Sequence, residues 1–438
     1  MATVQQLWGP ETEKAIANFP VSGERVPPAV IHWLARIKAE AARVNAELGL
    51  LEPDKAKRIA EAADAVARGE HDEQFPVDVF QTGSGTSTNM NANEVIAHLA
   101  GSGVHPNDDV NLGQSSNDVF PSAVHLACLE QTTSRLLPAL TMLEQSLAAK
   151  AEAFCDVVKA GRTHLMDAVP VTLGQEFAGY AAQIGLGQER IAGTLPRVAQ
   201  IPLGGTATGT GMNTHRDFAA RVRARLSAAT GSPAEAPVDR FEAQASRDAL
   251  VELSGELKVV AVSLTKIASD IRLMGSGPRA GLGEIELPEL QKGSSIMPGK
   301  TNPVLVEVVC QVAAQVVGND TAVTLAGMQA QFELNVAVPL LARNLLQSIE
   351  LLSSACALFA SKCVDGIVAN RERCEAYAEA SLSIATALNP FIGYDKAAEI
   401  VREALRSGRT VREVASGMGI DQDILDRALN VRSMTTQR

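Results

Sequence analysis

Aromatic residues are scarce in this chain: Phe, Trp and Tyr together make up 4% of 438 residues. A core without them is filled by Ala, Leu, Val and Ile, which suits long, closely packed helices better than β-sandwiches. Cysteine is sparse too. The six thiols, Cys128, Cys155, Cys310, Cys356, Cys363 and Cys374, form no CxxC pair. A disulfide framework is therefore not expected, and the reading is buried free thiols in a reducing cytoplasm. The seven histidines show no metal-ligand spacing. No run of about eighteen apolar residues occurs, so no transmembrane helix is expected. The N-terminal stretch lacks a basic region followed by an apolar run, so no signal peptide is expected either. Positive charge is in deficit, with a formal net charge of -11. That balance argues against a nucleic-acid partner and requires any site for an acidic substrate to be locally positive.

What the chain does have is an ordinary globular balance, 46% hydrophobic and 20% charged. Its length suggests about two or three domains. Residues 32–51 and 53–69 read as helices. Residues 75–93, FPVDVFQTGSGTSTNMNAN, read as a loop rich in small hydroxyl and amide side chains. From Ser115 the character changes. Ser115, Ser116 and Asn117 are good N-cap residues, and Leu136, Leu140, Leu143 and Leu147 recur behind them. A helix over about 241–274 carries the stripe Leu253, Leu257, Val260, Leu264, Ile267 and Ile271. Alternating steps of four and three are the seam of a helix bundle. Two further long helices are expected near 303–330 and 337–365. After about 371 the helices shorten. The expected fold is all-α, with a mostly helical first domain (1–114), a long-helix bundle (115–371) and a small helical third domain (372–438).

Several segments could carry chemistry. Residues 293–303, GSSIMPGKTNP, invite a P-loop reading, but five residues rather than four separate Gly293 from Gly299, and Pro298 removes a backbone donor. The same loop places Lys300 and Asn302 just before a helix start, where they suit a carboxylate or an enolate-like oxyanion. His164 and Thr163 lie in GRTHLMDAVPVTLGQE (161–176), with Glu307 as a possible orienting carboxylate. Ser84, Thr86 and Asn89 offer neutral donors on a glycine-flexed backbone. Ser115, Ser116 and Asn117 offer donors at a helix N-terminus. His105, Asn107, Asp108 and Asp109 hint at a metal, but their spacing fits no zinc or EF-hand pattern, and they read as a loop. Residues 410–429 have the outline of a helix-turn-helix, a shape common without DNA.

Taken together, these segments resemble the fumarase/aspartase superfamily, and within it the class II fumarases. The resemblance runs from LWGPETEKAIANF through QTGSGTSTNMNANE, GRTHLMDAVPVTLGQE, GGTATGTGMNTH and GSSIMPGKTNP to TALNPFIGYDKAAEI. Aspartate ammonia-lyase is the main alternative. The Gly-Arg-Thr-His run at 161–164 follows the fumarase pattern, where similar aspartases carry Gln at the last position. A catalytically silent protein on the same fold is a third reading. The resemblance implies a cofactor-free, metal-free hydration of fumarate to (S)-malate through an aci-carboxylate intermediate. It implies that Ser294 is the base at C3 and that His164, supported by Glu307, handles water. Lys300 and Asn302 would hold the carboxylate beside the carbanion. Ser84, Thr86, Ser115, Ser116, Asn117 and Thr163 would complete the dicarboxylate pocket, and His105, Asn107 and Asp108 would form a second dicarboxylate site. It further implies a homotetramer whose sites each draw on three subunits. Two departures stand out: the segment before LWGPETEKAI is shorter than usual, and Thr301 stands where Val is more usual.

Overall fold

The long hydrophobic seams predict helices, and helices carry the chain. The structure, a computed structural model, describes residues 5–436. Residues 1–4 and 437–438 lie outside the described residues, and with them the start of the stretch read for a signal peptide. The longest helices are Pro28–Glu47, Leu173–Val198, Asp248–Met274, Val304–Gly327 and Val338–Lys362. At 1.5 Å per residue, the 27 residues of Asp248–Met274 run roughly 40 Å. Every member of its predicted stripe, from Leu253 to Ile271, is buried. The all-α class holds. Strands among the described residues occur only as three short antiparallel pairs.

The chain folds into two compact units. The first takes residues up to Pro138 together with Gly187–Ala261 and Val312–Ser353; the second takes Ala139–Leu186, Val262–Gln311 and the segment from Ser354 onward. In the second unit the short C-terminal helices enclose their own core. Ile384, Leu388, Ile400, Val414 and Leu425 are buried there with Val158. The helix-turn-helix outline resolves into two seven-residue helices, Val411–Gly417 and Gln422–Ala428. Val411, Val414, Leu425 and Ala428 all face that core.

Four sequence readings need correction. Residues 75–93 are not all loop, because a helix runs from Thr86 to Ala100. Its Asn and Thr residues disfavour helix in isolation, but here Asn89, Asn91 and Asn93 are buried. Asn91 Nδ2 donates to Gln74 O at 3.0 Å, which supports the amide inside the unit. The predicted helix over 241–274 is two helices, Arg240–Ala245 and Asp248–Met274. Ser246 breaks it in an extended conformation, and its hydroxyl accepts from Asp248 N at 3.1 Å as a new cap. Residues 106–110 form one π-type turn rather than a plain loop. Finally, not every thiol is buried: Cys155 is exposed and Cys310 partly so.

Candidate functional site

In the first unit, glycines fix where the hydroxyl groups converge. Gly83 leaves no room for a side chain, since a Cβ there would lie 1.6 Å from Val336 O. Gly85 adopts φ +77° as the N-cap of the helix Thr86–Ala100, and a Cβ there would meet the Phe120 ring at 2.3 Å. This tight entry aligns three hydroxyls in a chain. Ser84 Oγ and Thr86 Oγ1 are 2.8 Å apart, and Thr86 Oγ1 and Ser116 Oγ are 2.8 Å apart. Ser115 caps the helix Ser116–Gln131, and its Oγ accepts from Asn117 N at 3.2 Å. Asn117 Nδ2 donates to Ala207 O at 2.9 Å. Rotatable hydroxyls at the positive end of a helix are groups able to receive a carboxylate. The structure therefore brings Ser84, Thr86, Ser115, Ser116 and Asn117 into one neighbourhood, although their segments lie about thirty residues apart in sequence.

Behind these hydroxyls sit two buried groups of opposite charge. Asp118 and Lys38 are fully buried. Burial pushes the Asp118 carboxyl up to about 6, against three backbone N–H donors and the Lys38 charge. Burial likewise pushes the Lys38 ammonium down to about 7. Lys38 Nζ donates to Asn111 Oδ1 at 3.3 Å and Gln114 Oε1 at 3.2 Å.

The candidate second site also belongs to the first unit. His105 Nδ1 accepts from Asp108 N at 3.1 Å, and Asp109 Oδ2 accepts from His105 N at 2.7 Å. Lys55 Nζ bonds Asp109 at 3.0 Å. His105 and Asn107 line a cavity of about 330 Å³ beside Trp8 and Glu94, whereas the Asp108 side chain projects outward. No group of three or more metal-ligating side chains exists among the described residues.

The second unit holds the remaining candidates. Val158–Thr163 and Met166–Thr172 form an antiparallel hairpin, with His164 and Leu165 as its two-residue turn. Both adopt positive φ, 56° and 60°. A turn with positive φ at both central residues matches the twist of the flanking strands, but Asn-Gly is its usual occupant. Two side-chain-bearing residues there cost about 1–3 kcal/mol each. The result is that His164 is held at the exposed tip, with Leu165 and Met166 also exposed. The base of the hairpin is anchored. Arg162 donates bidentately to the fully buried Glu284 at 3.0 and 2.9 Å. Lys159 Nζ lies 3.4 Å from the same carboxylate and 2.9 Å from Glu176.

The loop at 293–303 folds back on itself. Gly293 N donates to Lys300 O at 2.9 Å, and Asn302 Nδ2 donates to Gly293 O at 2.9 Å. Lys300 Nζ bonds Asn302 Oδ1. Within the loop, Ser294 Oγ accepts from Ile296 N at 3.2 Å and Met297 N at 3.0 Å. Two amide donors aimed at one oxygen favour its negatively charged form. Glu307 is exposed in the first turn of Val304–Gly327. Among the described residues no hydrogen bond or ion pair joins it to His164 within the chain.

Sequence reasoning missed Asp118, Lys38, Arg162 and Glu284. The run Ser115 to Asp118 carries a capping-box signal, which accounts for one carboxylate oxygen but not the other. Arg162 stood inside a quoted motif. Glu284 and Lys38 gave no signal, because their partners are distant in sequence.

Comparison with known proteins gives the family. A family model described as "Lyase" matches residues 1–318, and one described as "Fumarase C C-terminus" matches residues 384–436. A class II fumarate hydratase of Corynebacterium efficiens is 55% identical, over 98% of this chain and 93% of its own. One from Mycobacterium tuberculosis is 54% identical, over 98% and 92%. The crystal structure of a class II fumarase from Schistosoma mansoni superposes with a TM-score of 0.96 at 37% identity, covering 99% of this chain and 96% of that one. Matched in both halves by these models and along nearly its whole length by these relatives, the chain belongs to the class II fumarate hydratase family of lyases.

Proposed function

We propose that the chain catalyses the reversible hydration of fumarate to (S)-malate, by the mechanism its site residues suit. In the dehydration direction Ser294 Oγ, as alkoxide, takes the proton from C3 of malate. The electron pair passes into the adjacent carboxylate, which becomes an aci-carboxylate dianion. Lys300 and Asn302 supply charge and a donor to that oxyanion. The C2 hydroxyl then leaves with a proton from His164, as water, and the C2–C3 double bond forms. Ser84, Thr86, Ser115, Ser116, Asn117 and Thr163 hold the two carboxylates. Hydration runs the same steps backwards.

The observation that carries this reading is the pair of backbone amides on Ser294 Oγ. A serine is a poor base unless its alkoxide is stabilised, and those donors stabilise it. The fumarase pattern at 161–164 favours water over ammonia as the leaving group.

The working form is a homotetramer whose sites each draw on three subunits. Large apolar side chains stay exposed on the single chain: Leu186, Val262, Leu325 and Met328, besides Leu165 and Met166 at the hairpin tip. Where such side chains form a contiguous patch, the patch marks a protein–protein contact. Exposure of His164 and Glu307 on one chain fits a site completed by other copies, where the two could meet. The three sequence domains, and a second dicarboxylate site at His105, Asn107 and Asp108, belong to the same reading. So does a cytoplasmic location. Among the described residues, no helix is long and apolar enough to cross a membrane.

The test is an assay of purified protein with (S)-malate and, in parallel, L-aspartate, following absorbance of the conjugated double bond. A rise with malate alone supports the hydratase. A rise with aspartate alone refutes it in favour of an ammonia-lyase, and silence in both refutes catalysis on either substrate.

A further inference from the structure

Asp118 does more than cap its own helix. Its Oδ1 accepts from Ser115 N at 2.9 Å, as a capping box requires. In an ordinary capping box the second oxygen faces water. Here Oδ2 accepts from Gly204 N and Thr206 N, both at 2.9 Å. One fully buried carboxylate therefore receives three backbone amides, two from a loop more than eighty residues away.

That loop is shaped to reach it. Gly204 sits at φ +97° against Ala219, and Thr206 adopts φ +53°. Gly205 has no space for a Cβ, which would lie 2.5 Å from Gln244 Oε1. Gln244 Nε2 holds the far side of the loop through Thr206 O at 2.8 Å. On the near side, Ala207 O receives the Asn117 amide. The loop thus fixes the rotamer of Asn117, while the helix start fixes the loop.

We propose that Asp118 is a positioning residue for substrate binding, its carboxylate clamping the 203–207 loop onto the helix start that presents Ser115, Ser116 and Asn117. The three backbone amides favour the ionised carboxylate against its burial, and the charge of Lys38, itself buried and linked to Asn111 and Gln114, adds a smaller contribution. The inference rests on the proposed dicarboxylate site. It adds that site's geometry depends on a group that never touches substrate.

The experiment compares the full-length parent with Asp118→Asn and Gly205→Ala. Asparagine keeps one acceptor oxygen and turns N–H groups toward amides that need an acceptor. The alanine displaces the loop without touching Asp118. Both variants raise KM for malate by about tenfold or more, the loss of one charged hydrogen bond, with kcat changed by less than about threefold. Hydrogen exchange at the amides of Gly204 and Thr206 speeds up in Asp118→Asn while exchange in the helix Asp248–Met274 stays as in the parent. A general structural role would move both segments and both kinetic constants together. KM within about twofold of the parent in a folded Asp118→Asn overturns the proposal. If that variant does not fold, an unchanged KM in Gly205→Ala overturns it. If the parent turns over no malate, the hydratase reading has failed, and unchanged exchange at Gly204 and Thr206 in Asp118→Asn still overturns the clamp.

Discussion

Replacing Arg162 by leucine strands a carboxylate inside the second unit. Glu284 is fully buried and takes both arms of the Arg162 guanidinium, at 3.0 and 2.9 Å. Removing one partner from a buried, hydrogen-bonded ion pair typically costs about 3–5 kcal/mol, because the remaining charge stays out of water. Lys159 Nζ, 3.4 Å away, still offers partial compensation. The lower end, about 3 kcal/mol, is therefore expected for Arg162→Leu. Glu284→Leu should cost less, since Lys159 keeps Glu176. The double variant Arg162→Leu/Glu284→Leu should recover much of the single loss, since paired apolar side chains can replace a buried ion pair. Urea titrations of the four proteins read these differences. Turnover of malate should fall with Arg162→Leu as well, because His164 lies two residues beyond the anchor. A loss of under about 1 kcal/mol, the value of an exposed pair, would refute the claim that this contact holds the hairpin.

His164→Asn should lower kcat about 100-fold or more while leaving the assembly unchanged by size-exclusion chromatography; near-parental turnover would remove His164 from the mechanism. Gly85→Ala drives a Cβ into the Phe120 ring at a positive φ and should cost about 2 kcal/mol or more, measured by thermal unfolding. His125 is buried with its Nδ1 on Val198 O at 2.8 Å, and burial, helped by the Arg247 charge, pushes it down to about 3. The unfolded chain then binds more protons than the folded one between about pH 6.5 and 3, so this contribution to stability is lost as pH falls through that window. His125→Asn, whose amide N–H takes the place of Nδ1 against Val198 O, should flatten the acid loss measured by urea titration at pH 7 and pH 5; an unchanged slope would contradict it.

The bundle was legible because its seam is periodic. Leu253 to Ile271 repeat every three or four residues, and all are buried. The hairpin at 158–172 was not legible. Its turn is His164-Leu165 rather than Asn-Gly, and Pro170 sits within its second strand, a residue that argues against strand. The helix from Thr86 was hidden by hydroxyl and amide residues whose low propensity is overridden by burial at Ala92, Val95 and Ile96. For the site, the loop at 293–303 was visible as an unusual composition. The amide pair on Ser294 was not, because backbone direction inside a loop is not written in residue type. Nor was the anchoring of Arg162 by Glu284, where 122 residues separate the partners.

Hydration of fumarate in deuterium oxide, followed by proton NMR, tests the central claim most directly. The account predicts that the parent forms (S)-malate carrying a single deuterium at C3, and that Ser294→Ala, folded and of parental size, loses at least about 100-fold in rate. Parental rates of labelled malate formation by Ser294→Ala, or no malate from the parent, would contradict it.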